Sequence, residues 1–147
     1  MNQGEQIMQD RFKFRYVFEK DFGGKTGICY KMPVFNLDDA VRSVFENKIL
    51  EYTNFGYKLI AQNQCTGLKD KNGTLIYEGD IVKIEYYDFE IKHRIGIVEW
   101  EDDGFCITYH NPKDTKVSGC SLVDIVNGDK QEVIGNIYET PELIGGE

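Results

Sequence analysis

From Leu75 onward the chain is cut into short runs of apolar and β-branched residues by pairs that turns demand. That punctuation leaves little room for anything but small strands. The runs are Leu75–Tyr77, Asp80–Tyr87, Ile95–Glu101, Phe105–His110, Val117–Leu122 and Glu132–Tyr138. Before and between them stand Asn72–Gly73, Asp102–Asp103–Gly104, Asn111–Pro112 and Asn127–Gly128, residues that supply left-handed backbone or cap their own turns. Five or six strands in about 80 residues fit a small closed barrel better than a sandwich.

The first 64 residues read differently. In "RFKFRYVFEK", Phe12, Phe14, Tyr16 and Phe18 alternate with Lys13 and Arg15, the pattern of a half-buried strand. "FGGKTG" supplies a turn and "ICYKMPVF" a returning strand, with Pro33 marking an edge or an end. Asn36 then suits an N-cap, Asp38 and Asp39 suit the positive end of a helix dipole, and Leu37, Val41, Val44 and Phe45 fall at helical spacing. A helix over Asn36–Asn47 is predicted, its apolar stripe belonging to the core. A short strand follows the turn at Asn54–Gly56. The expected layout is mainly β: an N-terminal α+β extension over residues 1–64 and a barrel over 65–147.

Net charge is −8. Met1–Gln64 carries 9 Lys/Arg against 8 Asp/Glu, or +1, whereas Cys65–Glu147 carries 8 against 17, or −9. A surface at −9 repels a phosphate backbone, so nucleic acid is an improbable partner for the second part. Arg11, Lys13 and Arg15 keep a local basic patch open in the first.

No run approaches the roughly 20 apolar residues of a membrane helix. "MNQGEQIMQDRF" has neither the basic start nor the apolar core of a secretory signal, so a cytoplasmic protein is expected. The cysteines, Cys29, Cys65, Cys106 and Cys120, are irregularly spaced and form no C-x-x-C pair. They read as reduced, small apolar fillers.

"CTGLKDKNGTLIYEGDIVKI", Cys65–Ile84, invites a calcium or phosphate reading. With Gly73 at the sixth position of a calcium loop, Leu68 occupies the first and Gly79 the twelfth, and both end ligands are missing. Neither a G-x-x-x-x-G-K-[ST] nor a G-x-G-x-x-G string occurs. What remains is turn chemistry: Asn72–Gly73 predicts a type I′ hairpin, and Gly79–Asp80 re-aims the chain into a strand. Cys106 and His110 share a strand face and Cys120 could join them, but zinc ligands are normally paired locally, so core cysteines and a rim histidine are expected. His93 and His110 are far apart and no nucleophile motif is present. The acids of "EWEDDG", Glu99–Gly104, could serve acid–base chemistry, yet a solvated turn is the plainer reading. Tyr86, Tyr87, Tyr109 and Trp100 could line a peptide groove or simply pack the barrel. No catalytic, cofactor or metal residue is assigned, and a non-enzymatic protein is expected.

Thr66, Gly67, Asp70, Gly73, Ile76, Tyr77, Glu78, Gly79, Asp80 and Ile81 together resemble the T-G-x-x-D-x-x-G-x-x-I/V-Y-E-G-D-I/V string of the YopX family of bacteriophage and prophage proteins. "VIGNIYETPELI", Val133–Ile144, is similar to that family's I-G-N-I-Y-E-N-P-E-L-L ending, with Thr140 in place of the usual Asn. "RFKFRYVFE" resembles its opening strand, although Phe18–Glu19 stands where many members have Trp-Asp. The resemblance implies an SH3-like barrel with an α+β extension and self-association. It carries over no activity and no catalytic residues. The expected protein is a phage-type accessory module in a bacterial cytoplasm that self-associates and binds another protein. The alternative is a nucleic-acid-associated regulator using the basic N-terminal strand.

Overall fold

The structure, a computed structural model, describes residues 2–36, 42–102, 104–111, 114–117 and 131–144. The chain divides into two compact units, Met1–Gly67 and Leu68–Glu147. The fold is mainly β, with two antiparallel sheets.

The first unit opens on helix α1 (Gln3–Asp10), which the sequence reading did not anticipate. Its start is a reciprocal capping box: the Asn2 amide donates to Glu5 Oε2, and the Glu5 amide donates to Asn2 Oδ1, both at 2.9 Å. Strand β1 (Lys13–Asp21) is central. It pairs in succession with β2 (Ile28–Lys31) and β3 (Val34–Asn36), and also with β4 (Lys58–Lys69). The predicted hairpin is therefore present, its turn carrying left-handed glycines at 23, 24 and 27. The simple alternation is not. A bulge between Val17 and Phe18 brings both side chains fully inside, while Phe12 precedes the strand and is half exposed.

The helix α2 spans Arg42–Asn54 rather than ending at Asn47. Asn36 belongs to β3, opposite Lys13, and Leu37, Asp38, Asp39 and Val41 lie outside the described residues. Asn47 is tolerated inside the helix because a stronger stop lies further on. Gly56, at φ 80°, donates to Thr53 O, and Tyr57 donates to Tyr52 O. This is a Schellman ending, sealed by the Tyr52–Tyr57 ring contact at 6.0 Å. Tyr52 also packs on Phe18 at 4.8 Å, which holds the helix to β1. Gly56→Ala should cost about 1–2 kcal/mol, because left-handed backbone is strained for alanine. Thermal unfolding followed by far-UV circular dichroism would show it as a lowered Tm.

The second unit is built on strands β5 (Leu75–Tyr77), β6 (Asp80–Asp88), β7 (Glu90–Glu101), β8 (Gly104–Asn111), β9 (Asp114–Val117) and β10 (Gln131–Asn136). Five of them form a sheet in the order β10-β6-β7-β8-β9. Ile76, Val82, Ile84, Val98 and Ile107 make the core, with Leu68, Phe105, Tyr109 and Val133 packed against it. Each of the five buried core side chains contributes about 1.5–3 kcal/mol by leaving water. Ile81 and Val82 are adjacent and both fully buried, so β6 enters the sheet covered on both faces. β9 takes up only the first residue of the predicted Val117–Leu122 run, and Ser118–Leu122 lies outside the described residues.

Candidate functional site

The turn residues singled out in the sequence prove to be the frame of this second unit. Asp70 is buried, and its Oδ1 accepts the amides of Asn72 and Thr74, both at 2.9 Å. Its Oδ2 accepts the amide of Val133 at 3.0 Å, so one carboxylate ties the hairpin loop to β10. Burial pushes the Asp70 carboxyl upward, but the amides of Val133, Thr74 and Asn72 outweigh it and hold the pKa below the ordinary value. The loop is not the type I′ turn that Asn72–Gly73 predicted. Gly73 alone has positive φ there, at 84°, and its amide donates to Asp70 O, giving a three-residue loop with the left-handed residue last. The Asp70 side chain, holding the Asn72 amide, makes positive φ at Asn72 unnecessary.

Gly79 and Asp80 launch β6 as expected. Asp80 Oδ2 accepts the Tyr77 amide at 2.8 Å, and Gly79 donates to Val98 O and accepts from Ile137 N. The C-terminal signature is an equally specific joint. Asn136 Oδ1 caps the amides of Tyr138 and Glu139, while the Thr140 hydroxyl accepts from Asn136 N and donates to Asn136 O. A hydroxyl both donates and accepts, which explains why Thr serves where Asn is usual. Gly135 must be glycine because a Cβ there would strike Thr140 Oγ1.

From this frame a two-stranded arm extends. Among the described residues, β10 pairs with β6 only as far as Ile84, and β8 pairs with β7 only from Gly96. Glu85–Ile95 is thus paired, among the described residues, only within its own hairpin, with Tyr87 opposite Ile91 and Phe89 at the tip. The predicted strand began at Ile95; β7 begins five residues earlier, at Glu90. On the core face of the arm, the Arg94 guanidinium lies 4.6 Å from the Tyr86 ring and 5.6 Å from the Tyr109 ring, bracing the base. The opposite face is open: Tyr87 pairs with Ile91 on it, and the exposed pair Glu85–His93 separates them from Ile95. Along it exposure climbs from 8% at Ile97 to 36% at Ile95, 64% at Ile91 and 96% at Phe89. Phe89 also has φ 57°, a region a bulky side chain rarely occupies. Backbone strain of that kind collects at working sites.

The four aromatics considered for a groove do not share one. Tyr86 and Tyr109 face the core side around Arg94, Tyr87 points to the opposite face, and Trp100 packs on Phe105 at 4.8 Å. Of the proposed zinc ligands, Cys120 and the His110 side chain lie outside the described residues. Burial pushes the Cys106 thiol up, so it stays protonated and weakly nucleophilic at neutral pH. Among the described residues no cluster of three His, Cys, Asp or Glu side chains could hold a metal. Asp103 of the acidic turn is likewise outside them. In the basic N-terminal strand, Lys13 Nζ is held by buried Asp10 at 2.6 Å. Among the described residues no helix is long and apolar enough to cross a membrane.

The residues missed by sequence reasoning are thus Phe89 and Ile91. The available signal was the spacing Ile91, Ile95, Ile97, which continues one face of β7 outward.

A family model described as "YopX protein" matches residues 29–145. Among solved structures, the crystal structure of protein EF1440 from Enterococcus faecalis is similar at 21% identity, covering 90% of this chain and 96% of that one, with a TM-score of 0.43. No curated protein matches the chain.

Proposed function

The chain belongs to the YopX family, and from that premise we propose that it is a non-enzymatic accessory protein of phage or prophage type, working by protein binding and self-association. In this reading the second unit serves as an SH3-like barrel whose role is to present an interaction surface inside a bacterial cytoplasm. The observation that carries it is the apolar outer end of the β6–β7 arm, where Tyr87, Phe89 and Ile91 stand 74%, 96% and 64% exposed. Soluble monomers seldom leave large apolar side chains contiguous and open, and aromatic anchors dominate protein interfaces. Self-association is expected in sedimentation equilibrium at micromolar concentration; a strict monomer would remove that part of the proposal.

The alternative, a nucleic-acid regulator, draws on Arg11, Lys13 and Arg15. It is the weaker reading, because Lys13 is engaged by Asp10 and the second part of the chain carries −9. Binding to mixed-sequence duplex DNA should stay weak even at low salt, where phosphate contacts are strongest. Tight, steeply salt-dependent binding would favour it instead.

A further inference from the structure

We propose that the β6–β7 arm is the self-association element, pairing with the same arm of a second copy so that the Tyr87–Phe89–Ile91–Ile95 stripes cover one another. This rests on the self-associating reading above and names the surface that reading leaves open.

The first argument is continuity. Ile97 lies inside the fold, and Ile95 and Ile91 continue the same face outward with rising exposure, His93 standing between them opposite Glu85 and Phe89 capping the tip. A strand patterned apolar on one face is patterned to be covered there. A two-stranded hairpin standing alone is marginal in water, so an arm of this kind gains from a further layer.

The second argument is charge. The second unit carries −9, and two copies repel over most of that surface. The arm Glu85–Ile95 holds Glu85, Asp88 and Glu90 against Lys92 and Arg94, a balance of −1. A basic partner would be drawn to the acidic surface at large. A nearly neutral, apolar arm is the approach that suits a partner as acidic as the protein itself, and another copy is such a partner.

The third argument is size. A covered Tyr or Phe removes about 150–250 Å² from water. With the two isoleucines, one arm offers roughly 500 Å², and a two-fold pair about 1,000 Å², the area a specific interface has to clear. A self-complementary patch of this kind closes as a two-fold dimer, the commonest symmetry among oligomers.

The test is sedimentation equilibrium of the full chain, wild type beside Ile91→Asp and Phe89→Gly, from about 1 to 200 µM, a range that spans the affinity expected of an interface this small. The wild type should associate. Ile91→Asp should weaken association by roughly 30-fold or more, as loss of an interface anchor does. Phe89→Gly relieves the left-handed strain at the tip, so it should keep the fold and still weaken association. That variant decides the matter if Ile91→Asp disturbs the emission of Trp100. An oligomeric wild type with both variants unchanged would place self-association elsewhere and overturn the arm alone. A monomeric wild type at the highest concentration would overturn the arm and the self-association reading together.

Discussion

Asp70→Ala should cost the second unit about 3–5 kcal/mol, because three part-buried amide hydrogen bonds lose the one charged acceptor they share, each such bond being worth about 1.5–3 kcal/mol. The affected amides are those of Asn72, Thr74 and Val133. Domain stabilities are commonly about 5–15 kcal/mol, so this is a large share of the total. Trp100 is the only tryptophan and lies in the second unit, packed on Phe105. Its fluorescence during urea unfolding therefore reads this unit selectively. Asp70→Asn keeps acceptor oxygen but loses the charge and should fall between wild type and Ala. The same carboxylate predicts acid sensitivity. Its folded-state pKa is lowered, so the unfolded chain, with a value of about 3.9, takes up a proton first. The stabilisation is complete above about pH 5 and fades as pH falls through the unfolded value toward the folded one. Asp70→Asn should flatten that part of the stability profile. An Asp70→Ala midpoint equal to wild type at pH 7 would show that the loop and β10 do not depend on this carboxylate.

Gly96→Ala should cost about 2–3 kcal/mol, the upper part of the range for forcing an extra group into a packed core. An alanine Cβ at this position would stand 2.5 Å from Ile107 Cγ2, 2.8 Å from the Thr108 carbonyl oxygen and 3.2 Å from Tyr109 Cδ1. The carbonyl belongs to β8, paired with β7 through Gly96–Tyr109, and cannot retreat without breaking the ladder. Gly104, with nothing within 4 Å of a built Cβ, is the control: Ala there should be nearly neutral. Equal losses at both positions would point to backbone flexibility rather than crowding.

Much of the β architecture was legible because alternation and turn residues coincide. Leu75–Tyr77 was located residue for residue, and Gly79–Asp80 was recognised as the launch of β6. The failures share a cause: a local signal was read without the partner that overrides it. Asn72 looked like a left-handed turn residue until the Asp70 carboxylate supplied another way to hold the loop. Asn47 looked like a helix stop, but the left-handed Gly56 sets the end. Helix α1 went unseen because its capping box, Asn2 with Glu5, precedes a largely polar run containing Gly4. The arm was the costliest omission. His93 interrupts the apolar alternation between Ile91 and Ile95, and Tyr86–Tyr87 places aromatics on both faces. Neither face could then be assigned to core or surface without the register.

The bond from Val133 to Asp70 spans 63 residues, and the pairing of β10 with β6 reaches back nearly as far. During synthesis the β6–β7 and β7–β8 hairpins can close on neighbouring residues as soon as they leave the ribosome, since short loops close quickly. β6 has no β10 to pair with, and Asp70 no distant amide to hold, until Gln131 and Val133 have been made. For that interval the nascent chain carries a partly formed sheet with an open edge beside its own core strands, the kind of surface that invites wrong partners. The last strand is thus the closing clasp of the unit, and the time between translation of Ile84 and of Val133 is the period in which the protein most needs protection.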